Sequence, residues 1–247
     1  MRGIVSHIPN LVTLLNLSAG TLAAIFAIDG DLGTAAILIL CAGVFDFFDG
    51  FLARLLKAYS DTGKELDSLA DIVSFGVAPS MIMFSLMESA RYGNNIAIRD
   101  TGSLMDWFWM ASPLIIVAAS ALRLAKFNID TRQTVNFLGL PTPANAIIWA
   151  GFGLMTTWSG NEPLMLLLFT PSNLLIYALI TSGLLVSEIP MFSLKFRGFD
   201  LLSNWYRFVF LASALLLILF AGVYAPVLII LVYISLSISF YLLKVRI

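Results

Sequence analysis

The chain has 247 residues, 60% of them hydrophobic and only 12% charged, with a mean hydropathy of +0.94. A soluble globular chain carries about 25% charged residues, so this composition excludes an ordinary water-soluble domain and indicates an integral membrane protein. The net charge of −1 carries no signature of nucleic-acid binding, and a single cysteine, Cys41, excludes an internal disulfide.

The first ten residues, MRGIVSHIPN, hold no long apolar core ahead of a small-residue cleavage site, so no removable signal peptide is expected. A helix needs ~20 apolar residues to cross the hydrocarbon core. Hydropathy places eight such spans near 11–28, 33–57, 64–87, 107–126, 142–158, 172–188, 205–224 and 226–244. The last two meet at Ala225-Pro226, where length and the proline argue against one continuous helix. No internal repeat or composition shift marks a second soluble domain. The expected fold class is an all-α membrane protein.

Basic residues orient the spans. With the N-terminus inside, the cytoplasmic segments hold Arg2, Arg54, Lys57, Lys64, Arg123, Lys126, Arg132, Lys195, Arg197, Arg207, Lys244 and Arg246, against Arg91 and Arg99 outside. Twelve against two supports a cytoplasmic N-terminus and an even number of crossings. Trp107, Trp109, Trp158 and Trp205 fall at span ends, where indole rings anchor at the interface; Trp149 reads as packing.

The stretch DFFDGFLARLLKAYSDTGKELDSLAD, residues 46–71, breaks the apolar pattern with six acidic residues. Asp46 and Asp49 are three apart on the second span, and Asp67 and Asp71 four apart on the third, so each pair shares a helical face. Asp46 lies eight residues before Arg54, and Asp71 eight after Gly63, so each is ~12 Å along its helix from the intervening turn. An antiparallel hairpin then gathers four carboxylates around one cavity. A single carboxylate at the bilayer centre costs on the order of 2.5–3.5 kcal/mol, before mutual repulsion. Arg54, Lys57 and Lys64 are the only nearby cations on these spans, and they sit near the mouth. All-oxygen ligation suits hard divalent ions such as Mg²⁺ or Mn²⁺. Four negative charges match two of them, and two adjacent metals suit phosphoryl transfer. A proton or Na⁺ site in a transporter is the alternative that the carboxylates alone leave open.

The spacing Asp46-x2-Asp49-Gly50-x2-Ala53-Arg54-x8-Gly63-x3-Asp67-x3-Asp71 resembles the motif of the CDP-alcohol phosphotransferases, with no departure over 26 positions. Each element also has a physical reading. Gly50 and Gly63 leave backbone room for a nucleotide diphosphate, Arg54 offers a fork to a phosphate oxygen, and Ala53 permits close helix packing. The resemblance implies that Asp46, Asp49 and Asp67 hold one metal, and Asp46, Asp67 and Asp71 the other, with Asp71 as general base toward the alcohol. It places Ser60 and the segment Pro9-Asn10-Leu11-Val12 against the CDP-linked lipid. It further implies a six-helix core over 1–189 and a homodimer; the C-terminal helix pair over 190–247, read from hydropathy, lies outside what it covers.

Three further stretches, PNLVTLLNLSAG (9–20), DIVSFGVAPS (71–80) and LRLAKFN (122–128) with FLGLPTPANA (137–146), are similar to the branch of that family that makes phosphatidylserine from CDP-diacylglycerol and L-serine. That branch often has Arg where Lys126 stands, so no specific contact is assigned to Lys126. For serine, Arg123 is the expected carboxylate partner. Asn128 and Thr142 are expected to complete the polar wall, with Ser74 and Ser80 as further candidates unless they bond back to their own helix. In the reaction this implies, the serine hydroxyl attacks the phosphorus that bears diacylglycerol, and CMP leaves at the cytoplasmic side of the membrane. Rival readings are another alcohol (glycerol phosphate or inositol), an archaeal ether lipid, an intramembrane prenyltransferase, or a divalent-cation transporter.

Overall fold

The computed structural model describes residues 7–93, 102–129, 137–194 and 201–243. Arg2, Arg99, Arg132, Lys195, Arg197, Lys244 and Arg246 of the charge asymmetry lie outside these residues.

Helix α1, Ile8–Ile28, starts with Pro9 in its first turn, where a missing N–H costs nothing. Its buried stripe runs Pro9, Thr13, Asn16, Ala19, Gly20, Ala23 and Ala27, a helical spacing made mostly of small side chains. Small residues let helices approach closely in a membrane, and α1 packs most extensively on α2, Leu32–Leu55, whose buried face includes Ala35, Ala36, Ile39 and Ala42. The hairpin between them turns at Gly30, whose φ of +88° suits glycine. It is closed by Asp31, whose Oδ1 accepts from the Thr34 amide at 3.0 Å.

The chain leaves α2 through Lys57 in the left-handed region, φ +51°, and the Ala58 amide donates to the Ala53 carbonyl at 3.0 Å. Helix α3, Asp61–Ile72, begins on Ser60, whose Oγ accepts from the Gly63 amide at 3.0 Å. It runs without interruption into a π-turn, Val73–Val77, and then α4, Ala78–Tyr92, so that 61–92 form one span with a wide turn inside it. Helices α5, Leu104–Ala111, and α6, Leu114–Ile129, adjoin at Ser112-Pro113 and together form the next span. Arg91 at the end of α4 holds Asp106 of α5 at 2.6 Å. A short antiparallel pair, β1 (Phe137–Leu138) and β2 (Pro190–Met191), joins the segments before α7, Thr142–Trp158, and after α9, Pro171–Val186. Between α7 and α9 lies the short α8, Glu162–Leu168, bent 61° from α9.

The chain ends in α10, Leu201–Ala221, a 3₁₀ turn at Gly222–Tyr224, and α11, Ala225–Leu242. The Trp205 ring lies 5.7 Å from Phe240, and Phe210 5.8 Å from Tyr233, so the two helices run antiparallel. They dock on the rest through Phe192, whose ring meets Tyr206, Phe210, Tyr233 and Phe240 at 4.8–6.1 Å, while the Tyr233 hydroxyl donates to the Phe192 carbonyl at 3.0 Å. Trp149 is fully buried against Phe152, as expected for packing, whereas Trp107, Trp158 and Trp205 are exposed.

The architecture is all-α and apolar, as read from the sequence, and the exact count of eight spans is not confirmed. By helical length and composition, five described stretches can cross a membrane, or six with the bent α8–α9 pair taken as one. Helix α7 has 17 residues, and at 1.5 Å per residue reaches only ~25 Å. The stretch 204–242 is helical throughout and qualifies as one unit, although its ring contacts show that it folds back at Gly222–Tyr224.

Candidate active site

Helices α2 and α3 deliver their acidic pairs to one place. Carboxylate oxygens of Asp46, Asp49 and Asp67 lie within 4.8 Å of one another. Asp49 is buried, and Asp46 and Asp67 are half-buried. One oxygen each of Asp49 and Asp67 is buried with no hydrogen-bond partner among the described residues. Buried carboxylate oxygens left without donors are costly, and a cation is what such a set of hard oxygen donors fits. Asp71, one turn beyond Asp67, has its carboxyl within hydrogen-bonding reach of Asp46. It also accepts from Asn16 Nδ2 of α1 at 3.4 Å. The hairpin reading is thereby met, with Asp46, Asp49 and Asp67 clustered and Asp71 beside Asp46.

A cleft opens in front of the cluster. Asp49 and Asp67 form its floor; Gly50, Ala53 and Arg54 of α2, Ser60, Gly63 and Lys64 of α3, and Pro9, Asn10 and Thr13 of α1 form its walls. The positions of α1 follow from spacing, since 9, 10 and 13 share one helical face. Leu11, 61% exposed, and Val12 are not among the lining residues, so the segment 9–12 divides between cleft and surface.

Gly63 explains itself. A Cβ there would stand 2.9 Å from Ser60 Oγ and 3.0 Å from Asn10 Oδ1, so only glycine lets these side chains converge on the first turn of α3. That turn also presents backbone N–H groups and the positive end of the helix dipole toward the cleft, an arrangement that favours anions. Ser60 is therefore both a wall residue and the α3 N-cap. At Gly50 a Cβ would meet Arg54 Nη1 at 3.6 Å, an ordinary contact, so nothing within the chain requires glycine there. The exposed Arg54 guanidinium lies over this position, at the mouth.

The expected serine-side residues scatter. Arg123 is 5% exposed; its Nε donates to the Leu140 carbonyl at 3.4 Å, and its guanidinium lies 5.4 Å from the Phe127 ring. Asn128 Nδ2 donates to Ser68 Oγ at 2.9 Å, tying α6 to the helix that carries Asp67 and Asp71. Thr142 is buried at the start of α7. Ser74 and Ser80 both bond to backbone. Ser74 Oγ donates to the Asn16 carbonyl at 3.0 Å, and Ser80 Oγ to the Val77 carbonyl at 2.7 Å. Each hydroxyl proton is thus given to a backbone carbonyl.

Asn16 is the residue that sequence reasoning missed. Its amide reaches Asp71, its carbonyl accepts from Ser74, and Gly20 one turn on lets the π-turn come within contact, since a Cβ at Gly20 would lie 2.5 Å from Ser74 Cα. The available signal was an uncharged polar residue inside an apolar span, on the same face as Pro9 and Thr13.

Comparison with known proteins fits this geometry. A family model described as CDP-alcohol phosphatidyltransferase matches residues 6–187. The chain is 37% identical over 154 residues to the archaetidylserine synthase of Methanothermobacter thermautotrophicus, covering 62% of this chain and 60% of the relative. It is 34% identical over 165 residues to the CDP-diacylglycerol–serine O-phosphatidyltransferase of Bacillus subtilis, covering 67% and 82%. A protein of the latter name from Methanocaldococcus jannaschii is 37% identical over 145 residues, 59% of each chain. The match thus spans about 60% of the two archaeal relatives' length.

Proposed function

The chain belongs to the CDP-alcohol phosphatidyltransferase family, and on that premise we propose that it transfers the phosphatidyl group of CDP-diacylglycerol to the hydroxyl of L-serine, giving phosphatidylserine and CMP. The observation that carries this reading is the carboxylate cluster at the floor of a cleft whose mouth holds Arg54 and whose wall is the N-terminus of α3. Serine is the alcohol because it is common to the names of the relatives above, whether their lipid is a diacylglycerol or an archaeal ether.

In this reading Asp46, Asp49, Asp67 and Asp71 would hold two divalent cations, Mg²⁺ or Mn²⁺, which when bound supply neutralisation of diphosphate charge and of the departing CMP. Arg54 binds a phosphate oxygen through its fork. The N-terminal turn of α3, with Ser60, Gly63 and Asn10, cradles the diphosphate. Asp71, held by Asn16, orients the serine hydroxyl and accepts its proton as oxygen attacks the phosphorus bearing diacylglycerol. Positioning is the larger part of this contribution, since a carboxylate among cations is a weak base. Arg123 binds the serine carboxylate, and Asn128 and Thr142 complete the polar wall.

The acyl chains stay in lipid while the headgroup enters from the inner leaflet, and serine arrives from the cytoplasm, at the side where Arg54, Lys57 and Lys64 cluster. Residues 1–189 carry the chemistry, and the helix pair within 190–247 serves as scaffold in a homodimer. The test is CMP release with purified protein in detergent, divalent metal, and either CDP-diacylglycerol or its ether analogue, with L-serine, glycerol 3-phosphate and inositol offered in turn. Turnover with serine alone supports the reading; turnover only with another alcohol replaces it.

A further inference from the structure

The residues that line the carboxylate cleft include one aromatic side chain, Tyr59, and it is 72% exposed. It stands in the short passage from α2 to α3, and the backbone is fastened on both sides of it. Behind it, the Lys57 amide donates to the Arg54 carbonyl at 3.3 Å and the Ala58 amide to the Ala53 carbonyl at 3.0 Å, closing the end of α2. Ahead of it, Ser60 has an extended backbone, φ −146° and ψ 149°, and caps α3 by accepting from the Gly63 amide. Lys57 holds a left-handed φ of +51° in the same turn, a conformation uncommon for a residue with a side chain and kept where its surroundings determine it. Tyr59 is therefore carried on a set turn between two helix caps.

Its place in the cleft decides what the ring can meet. Asp49 and Asp67 lie at the floor, and Gly50, Ala53 and Gly63 add no more than a methyl group to the walls. Arg54, Tyr59 and Lys64 are exposed at the mouth. In a substrate whose diphosphate rests on the floor, the acyl chains stay in lipid and the nucleoside is the part directed to water. A flat base leaving the small-walled part of the cleft then comes upon the phenol ring. Every base has a π face, and aromatic side chains stack on that face whatever the pattern on the base's edge.

Resting on the function proposed above, we propose that Tyr59 is the stacking platform for the pyrimidine base of the CDP-linked lipid. The two caps that flank it hold the ring ready, so little ordering is lost on binding. Tyr59 thereby adds affinity for the nucleotide without touching the metals or the reacting phosphorus.

The experiment is equilibrium binding of CDP, with Mn²⁺ present, and of Mn²⁺ alone to the full-length protein in detergent. Tyr59→Ala should weaken CDP by about five- to a hundredfold, the range measured when stacking on one base is removed, and leave Mn²⁺ affinity at the parent's value. In turnover the CDP-diacylglycerol KM should rise while the serine KM stays. Tyr59→Phe and Tyr59→Trp should bind CDP about as the parent does, and Tyr59→Leu, apolar but without a π face, should lose as much as Tyr59→Ala. Parental CDP affinity in Tyr59→Ala overturns the inference and leaves the ring an interfacial anchor. Equal losses of CDP and Mn²⁺ affinity also overturn it, since the turn would then be shaping the carboxylates. So does a Tyr59→Phe loss as large as that of Tyr59→Ala, which would assign the effect to the hydroxyl. If the parent itself binds neither Mn²⁺ nor CDP, the proposed function is what fails, and the platform falls with it.

Discussion

Asn16 of α1 reaches across to Asp71 of α3, its Nδ2 standing 3.4 Å from a carboxylate oxygen of a residue fifty-five positions later. The same asparagine accepts the Ser74 hydroxyl on its own carbonyl. One residue therefore fixes both the acid and the turn behind it.

Asn16→Ala should for that reason reduce kcat more than it changes the KM of either substrate. The loss of a hydrogen bond to a charged group is worth about 1.5–3 kcal/mol, or roughly ten- to a hundredfold in rate if it is felt only in the transition state. Asn16→Gln, which keeps the amide on a longer arm, should recover part. A rise in the CDP-lipid KM at unchanged kcat would place Asn16 in lipid binding instead.

The acidic residues should separate by role. With Asp46 and Asp67 both in the carboxylate cluster, Asp46→Asn or Asp67→Asn should abolish metal-dependent binding of CDP-diacylglycerol, read by equilibrium binding without serine. Asp71→Asn should keep more of that binding and lose turnover. A chelator should silence the parent, and Mg²⁺ or Mn²⁺ should restore it. Mild and equal losses at every position, or full turnover in metal-free buffer, would point to a structural cluster.

Two glycines make opposite predictions. Gly20→Ala drives a Cβ to 2.5 Å from Ser74 Cα, a backbone clash, and such overpacking typically costs about 1–3 kcal/mol. It should appear as a lower melting temperature in detergent. Gly63→Ala meets only the side-chain ends of Ser60 and Asn10. It should leave the melting temperature near the parent's and raise the CDP-lipid KM by about tenfold, equivalent to ~1.4 kcal/mol. Equal thermal shifts in the two variants would count against the cradle.

Arg123→Ala tests carboxylate recognition. It should raise the serine KM about ten- to a hundredfold and leave CDP-lipid binding near normal. Arg123→Lys should recover only part, because an ammonium lacks the two-pronged geometry. Arg123 is also bonded to Leu140, so serinol, which has no carboxylate, is the control. If serine and serinol turnover fall by the same factor, the residue's part is structural.

Much of this site is legible in the sequence. The acids, Gly63 and Arg54 sit at spacings that map onto helical faces, and the two helices adjoin in the chain, so one turn brings them together. The spans were legible in kind because apolar length is a local property. Their number was less so: α7 is short, α8 and α9 are kinked, and α10 and α11 join without a break in helical structure. Asn16 and Ser74 were illegible in role because their partners are decided by how α1 crosses the third span. Nothing local in NLSAG or DIVSFG states that crossing.

The π-turn at Val73–Val77 has a consequence for alignment. Such a turn holds one more residue than an α-helix over the same stretch, and each residue of an α-helix rotates the next by about 100°. Everything from Ala78 onward is therefore out of phase with Asp67 and Asp71 by roughly that angle. Faces counted forward from the acids at 3.6 residues per turn will be misassigned beyond Ile72. A related chain one residue shorter here would keep the rotational setting of α4 by running as plain α-helix. A single-position gap between 73 and 77 in a comparison of such sequences is thus the expected trace of a turn gained or lost, with the acids and the rest of the span still in structural register.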